Sequence, residues 1–98
     1  MEKRKPHCPL SRVRALVRAG AVRATVTALN DAAIMGFVFD EMVTVVSELT
    51  ASDFFKSMTT YADHMIWQDA YRPKTDKGEM YVKLTVIDDV LIVSFKAL

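Results

Sequence analysis

From Asp53 to the C-terminus the apolar residues recur at every second position, and this pattern constrains the fold more than any other feature. Because side chains alternate between the two faces of a β-strand, a period of two over several segments predicts a sheet with two chemically different faces. The longest connection between these segments is six residues, 73–78, and short connections join antiparallel neighbours. We predict four strands, at about residues 54–60, 66–72, 79–87 and 90–96.

The N-terminal half has a helical period instead. We expect the first helix to be capped by Ser11, the second by Thr25 or Thr27, and the third by Asp40. A short extended segment, residues 21–24, lies between the first two helices. The predicted helices span about residues 11–19, 25–36 and 40–49. Three helices on one face of an antiparallel sheet make a compact α+β domain.

The length and composition fit one folded domain over residues 1–98. The chain is 51% hydrophobic and 26% charged, which excludes a disordered protein. No apolar run reaches the ~18 residues of a membrane span, and no apolar segment follows the basic N-terminus. We therefore expect a cytoplasmic location. Cys8 is the single cysteine, and with His7 it supplies too few ligands for a structural zinc site.

The net charge of +1 conceals an uneven distribution. Residues 1–23 contain seven basic side chains against one acid, Glu2, whereas residues 24–55 contain five acids and no base. A basic segment in a neutral protein indicates contact with a polyanion, although a solvated helix face gives the same pattern. The charge distribution alone leaves both interpretations open.

Strand pairing can be counted outward from the turns. A two-residue turn at 88–89 pairs Ile87 with Val90 and places Tyr81 opposite Lys96, with Cβ atoms about 4.5–5.5 Å apart. The other hairpins then pair Met58 with Gln68, Ala70 with Tyr81, and Arg72 with Glu79, and make Lys56 a diagonal neighbour of Gln68. One face collects Lys56, Met58, Gln68, Arg72, Tyr81, Lys83 and Lys96. The helix-facing side receives Phe55, Trp67, Tyr71, Val82, Leu84, Val93 and Phe95, while Val90 and Ile92 fall on the opposite side.

The polar face carries four cations, a phenol, an amide and a thioether, with Glu79 as the one nearby acid. This set suits a phosphodiester backbone. The exposed face of any antiparallel sheet is polar, however, so the pattern also fits a face without function. No carboxylate cluster for Mg²⁺ and no Gly-rich phosphate loop is present in the sequence, and we expect neither a metal nor a cofactor. His7 and His64 are the alternative acid–base groups, because imidazole titrates near neutrality.

Three segments resemble the motility quorum-sensing regulator (MqsR) toxins: residues 53–61 (DFFKSMTTY), 66–73 (IWQDAYRP) and 90–96 (VLIVSFK). Two departures from the family pattern are Phe55, where a tyrosine is expected, and Asp88, where a histidine is expected. The resemblance implies a RelE-like fold and the toxin of a type II toxin–antitoxin pair. It implies an mRNA endoribonuclease that acts without the ribosome at GC-containing sites such as GCU.

The resemblance also implies partners and site residues. A zinc-binding antitoxin of the MqsA type neutralises the toxin, and their complex contributes to transcriptional control. The family's catalytic positions fall on Lys56, Gln68, Tyr81 and Lys96. We predict that RNA contacts Phe55, Met58, Arg72 and Lys83.

A mechanism without metal follows. The RNA 2′-hydroxyl attacks the adjacent phosphate, with Lys56 as base or charge stabiliser and Tyr81 as acid. Lys96 stabilises the phenolate, and Gln68 orients the reacting groups. Two other functions stay open: a nucleic-acid-binding protein without chemistry, whose footprint is Arg12, Arg14 and Arg18, and a regulatory protein that only binds the antitoxin.

Overall fold

The computed structural model describes residues 1–98 and contains three helices and seven strands. The helices are α1 (Leu10–Arg18), α2 (Val26–Ile34) and α3 (Phe39–Ser47), and a 3-10 turn covers Ala51–Asp53. The strands are β1 (Glu2–Lys3), β2 (Val22–Ala24), β3 (Phe54–Thr59), β4 (Trp67–Tyr71), β5 (Lys74–Thr75), β6 (Gly78–Val86) and β7 (Val90–Ala97). The predicted α+β class is confirmed, and the arrangement is consistent with a RelE-like toxin fold.

The strands of the sheet follow the order β1-β3-β4-β6-β7-β2, and β5 pairs with β6 beside this path. The four predicted strands are β3, β4, β6 and β7, and they pair antiparallel as expected. β2 differs, because it pairs parallel with β7 at the edge of the sheet. A helix precedes β2 and another follows it, so no hairpin turn fixes its direction.

Two of the three predicted helix caps are wrong. Thr25 caps α2 as expected, since its hydroxyl oxygen accepts a hydrogen bond from the backbone N–H of Ala28. Ser11 and Asp40, however, lie inside the first turns of α1 and α3. Pro9 precedes α1, and its ring fixes φ at −63°. At the start of α3, the carboxylate of Glu41 accepts a hydrogen bond from the backbone N–H of Val38, the residue before the helix.

One buried core joins the helices to the sheet. Val13 of α1, Ala28 of α2 and Met42 of α3 belong to the same cluster as residues of β4, β6 and β7, so all three helices pack on one face. Four of the residues predicted to face the helices are in this core: Tyr71, Val82, Leu84 and Phe95.

Trp67 lies on the same side of β4 as Tyr71, but the N-terminal arm covers it. The ring of His7 stacks on the indole with centroids 5.4 Å apart, and the Nζ atom of Lys3 lies 4.2 Å from the ring centroid. The indole is therefore only partly buried.

The turn between β6 and β7 is one residue longer than predicted. Val86, not Ile87, pairs with Val90, so the turn covers residues 87–89. A shift of one residue transfers side chains to the opposite face. Val90 and Ile92 are accordingly 0% exposed in the core, which corrects the prediction that they lie on the polar side.

A bulge in β7 reverses that shift. The register changes between Lys83 and Leu84, where Val93 is the extra residue of the opposite strand. Val93 is only partly buried and lies outside the core, so its predicted helix-facing position is wrong. Beyond the bulge the register is the predicted one, and Tyr81 pairs with Lys96. The extra residue in the turn and the extra residue in the bulge therefore cancel in the register between β6 and β7.

No helix in this structure has both the length and the apolar character needed to cross a membrane.

Candidate active site

The face of the sheet away from the helices carries the predicted polar residues, and a row of four paired positions crosses it. Lys56 of β3 pairs with Ala70 of β4, Ala70 with Lys83 of β6, and Lys83 with Ser94 of β7. Ala70 is fully buried between the two lysines. We call the following set the cationic face: Lys56, Met58, Gln68, Arg72, Tyr81, Lys83 and Lys96.

Gln68 lies beside this row, near the loop that joins β3 to β4. It pairs with Met58, as predicted, and Lys56 is consequently its diagonal neighbour. The side-chain amide of Gln68 makes no hydrogen bond within the protein, although the residue is only partly exposed. Gln68 can therefore donate to and accept from a ligand without breaking an internal bond.

Tyr81 and Lys96 occupy the other end of the face. They are directly paired across β6 and β7, and the Nζ atom of Lys96 lies 5.8 Å from the centroid of the Tyr81 ring. The phenol and the ammonium are therefore neighbours on the cationic face.

The register between β4 and β6 differs from the predicted one by two residues. Ala70 pairs with Lys83 rather than with Tyr81, and Glu79 pairs with Lys74 rather than with Arg72. A shift of two preserves the face of every side chain, because the side-chain period is two. The cationic face therefore forms although two of its predicted pairs are wrong.

Phe55, like Val93, was predicted to face the helices, and the structure places it elsewhere. It is the extra residue of a bulge in β3, and the guanidinium carbon of Arg72 lies 3.4 Å from the centroid of its ring. The Nζ atom of Lys56 lies 5.2 Å from the same centroid. Phe55 thus lies among the cations, at the border of the cationic face.

Lys83 is the cation of the face whose pKa departs clearly from the ordinary value of lysine. It is partly buried at the centre of the sheet and has neither an ion pair nor a hydrogen bond within the protein. Burial lowers the pKa of Lys83, and repulsion by Lys96 and Lys56 lowers it further. Lys56 differs, because its ammonium forms an ion pair of 2.6 Å with Glu2.

The sequence interpretation missed Glu2 as a member of the site. β1 pairs with β3 and places Glu2 opposite Met58, at the edge of the cationic face. The hydrogen bond and the charge of Lys56 lower the pKa of the Glu2 carboxyl. A strand of two residues shows no period, so only its charge among basic neighbours distinguished Glu2 in the sequence.

The two histidines have different surroundings. His7 lies on the Trp67 side of the sheet, with its Nδ1 atom 2.9 Å from the Nζ atom of Lys3. His64 is exposed in the β3–β4 loop and lines a cavity together with Gln68 and Lys83. The structure thus separates His7 from the cationic face and places His64 at its border.

Two of the three arginines of the predicted α1 footprint bind the protein itself. The Arg12 guanidinium donates to the carbonyl oxygen of Ile87 at 2.8 Å. Arg14 donates to the carbonyl oxygens of Ser47, the last residue of α3, and of Leu49, two residues beyond it. These contacts disfavour α1 as the main surface for a polyanion. No group of three or more His, Cys, Asp or Glu side chains is placed to hold a metal ion.

The helix-backed sheet is consistent with a small α+β protein of the RelE-like toxin class, and its cationic face suits a phosphodiester chain. A family model described as "Motility quorum-sensing regulator, toxin of MqsA" matches residues 5–97. The chain is also 59% identical over 96 residues to the mRNA interferase toxin MqsR of Escherichia coli (strain K12), an alignment that covers 98% of each protein. This chain belongs to the MqsR toxin family.

Proposed function

We propose that this chain is an mRNA endoribonuclease and the toxin of a toxin–antitoxin pair. The observation that carries the proposal is the convergence of three lysines, a tyrosine and an unpaired amide on one face of the sheet. The name of the E. coli relative, an mRNA interferase, supports the same activity. An endoribonuclease needs such a face, because the cleaved phosphate gains negative charge in the transition state.

The finer features implied by the family are part of this proposal. Cleavage occurs at GC-containing sites such as GCU and does not need the ribosome. A zinc-binding antitoxin of the MqsA type neutralises the toxin, and the complex contributes to transcriptional control. The family description, which names these toxins by their antitoxin MqsA, supports the partner.

The reaction balances without a co-reactant. The 2′-oxygen of the RNA forms a bond to the adjacent phosphorus while the bond from phosphorus to the 5′-oxygen breaks. A base accepts the 2′-hydroxyl proton, and an acid donates a proton to the leaving 5′-oxygen. Arg72 can hold the phosphate through its planar fork, and Gln68 can orient the 2′-hydroxyl. The products are a 2′,3′-cyclic phosphate and a free 5′-hydroxyl.

We propose Lys83, rather than Lys56, as the general base. An ordinary lysine is a poor base, because its pKa is about 10.4. The ammonium of Lys56 is held by the carboxylate of Glu2 at 2.6 Å. Lys83 is unpaired, and burial among other cations lowers its pKa. We therefore assign proton removal to Lys83 and charge stabilisation to Lys56.

Tyr81 is the acid in this scheme. The neighbouring ammonium of Lys96 stabilises the phenolate that remains after proton donation. Tyr81→Phe keeps the ring and removes only the hydroxyl, so it separates proton donation from stacking.

The decisive experiment is cleavage of a GCU-containing RNA by the purified chain, with and without EDTA. We expect Lys83→Met, Gln68→Ala and Tyr81→Phe to slow cleavage about 100-fold or more, the usual contribution of a positioned acid or base. Lys74→Ala is the matched control, because Lys74 is an exposed lysine of β5 that lines a second pocket with Val45 and Glu48 and no member of the cationic face. Undiminished cleavage by the three site variants would refute the site, and loss of wild-type activity in EDTA would refute the metal-free mechanism.

The non-catalytic alternatives make a different prediction. A protein that only binds nucleic acid or antitoxin leaves RNA intact and permits growth when expressed alone. Expression without the antitoxin, followed by mapping of mRNA 5′ ends, distinguishes these cases. Growth arrest with new 5′ ends supports the nuclease.

A further inference from the structure

A cavity of about 530 Å³ opens beside the cationic face. Its walls come from β1, from β3 and the loop that follows it, and from Gln68 and Lys83 on the sheet. Its volume is within the range of small-molecule sites, about 300–1,000 Å³. Because Gln68 and Lys83 belong to both the cavity and the cationic face, a group bound in the cavity is continuous with a phosphate bound on the face.

Two ring side chains stand on the loop at the cavity border, Tyr61 and His64. The loop is held in place by its own hydrogen bonds: the Thr60 hydroxyl donates to the carbonyl oxygen of Asp63 at 2.8 Å and accepts from the backbone N–H of Asp63 at 3.0 Å. The side chain of Tyr61 is nevertheless fully exposed. An aromatic ring held on an ordered loop without a partner in the protein offers a face on which a base can stack.

The opposite wall supplies hydrogen-bonding groups. One oxygen of the Glu2 carboxylate binds the ammonium of Lys56, and the other has no hydrogen-bond partner in the protein. The amide of Gln68 and the ammonium of Lys83 are also without partners. The cavity therefore combines an acceptor for N–H donors with donors for carbonyl and ring-nitrogen acceptors.

We infer that this cavity is a nucleobase subsite, in which a base beside the scissile phosphate stacks on Tyr61 and is read by Glu2 and Gln68. Guanine fits these groups best. Its N1–H and N2–H donors are adjacent and match a carboxylate, because the free oxygen of Glu2 accepts one of them and the oxygen bound to Lys56 retains a second lone pair for the other. The O6 and N7 atoms of guanine accept from an amide or an ammonium. The inference rests on the proposed nuclease function and adds the residues that choose the base.

The test measures binding separately from cleavage. Short RNAs carry one guanine beside a single 2′-deoxy position that blocks the reaction, and a second set carries inosine, which lacks the N2 amino group. We expect the wild-type protein to bind the guanine RNA about tenfold more tightly than the inosine RNA. Glu2→Gln should remove this difference, whereas an effect of the lost Lys56 ion pair alone would change the affinity for both RNAs equally.

Stacking is tested in the loop. Tyr61→Ala should weaken binding of either RNA about tenfold. Met65→Ala is the matched control, because Met65 is 84% exposed in the same loop but does not line the cavity. Thermal unfolding confirms that each variant is folded.

The outcomes separate the two proposals. Equal binding of guanine and inosine RNAs by the wild type, or an unchanged preference in Glu2→Gln, overturns the subsite. Absence of cleavage of the all-ribose RNA by the wild type overturns the nuclease function, and with it the subsite as a determinant of cleavage. Normal cleavage with an unchanged base preference in the variants overturns the subsite alone.

Discussion

Replacing Asp69 should destabilise the protein by releasing its N-terminal arm. The Asp69 carboxylate is 5% exposed, and it accepts the backbone N–H groups of His7 and Cys8, each at 2.9 Å. Asp69→Ala leaves both amides without their acceptor. A hydrogen bond to a charged group contributes about 1.5–3 kcal/mol, and removing the buried charge recovers part of the two bonds. We expect the free energy of unfolding to fall by roughly 2–4 kcal/mol, a large share of the ~5–15 kcal/mol of a typical domain.

Urea unfolding measures this loss. With a slope of about 1–3 kcal/mol per molar urea, the midpoint should fall by about 1–2 M at an unchanged slope. Asp69→Asn keeps one acceptor and should give an intermediate loss. Asp31→Ala is the control, because Asp31 is partly exposed on α2 and its side chain makes no hydrogen bond or ion pair, and its effect should stay within about 0.5 kcal/mol.

Hydrogen exchange locates the effect. The Cys8 amide should exchange much faster in Asp69→Ala, because its acceptor is gone, while amides of β6 follow only the global loss. A decrease in the free energy of unfolding below about 1 kcal/mol, with the Cys8 amide still protected, would refute the reasoning. The arm also carries Glu2, so the same variant should weaken its ion pair with Lys56.

Two further predictions concern the cations. Lys83→Met should raise stability at neutral pH while slowing cleavage about 100-fold or more. Because burial lowers the pKa of Lys83, the unfolded chain binds more protons than the folded chain between the lowered pKa and the ordinary value of about 10.4. The loss of stability caused by burying the charged ammonium is therefore complete below the lowered pKa and disappears as the pH rises past about 10.4. Urea unfolding should show the stability of the wild type rising over this pH range, and the variant should lack that rise. Arg14→Ala should cost about 1–2 kcal/mol of unfolding free energy, because two carbonyl oxygens at the C-terminal end of α3 lose their donor, whereas Arg18→Ala, on the same helix, should change it little.

Local pattern in the sequence was sufficient for the three helices, for the four long strands and for most of the two faces. The period of two located β3, β4, β6 and β7 to within one or two residues, because each strand buries one side against the helices. The same period chose the members of the cationic face. Predicted pairs that were wrong by two residues, such as Ala70 with Tyr81, did not alter that choice, since parity determines the face.

Only the tertiary structure decided the register, the edges and the charges of the site. A bulge or a turn longer by one residue changes which face a side chain takes without a clear change of pattern, so the position of Phe55 and the transfer of Ile92 to the core could not be read from alternation. A two-residue strand such as β1 has no period, and its pairing depends on β3. The lowered pKa of Lys83 and the ion pair of Glu2 arise from neighbours on other strands, and electrostatic energy depends on distance in space rather than along the chain.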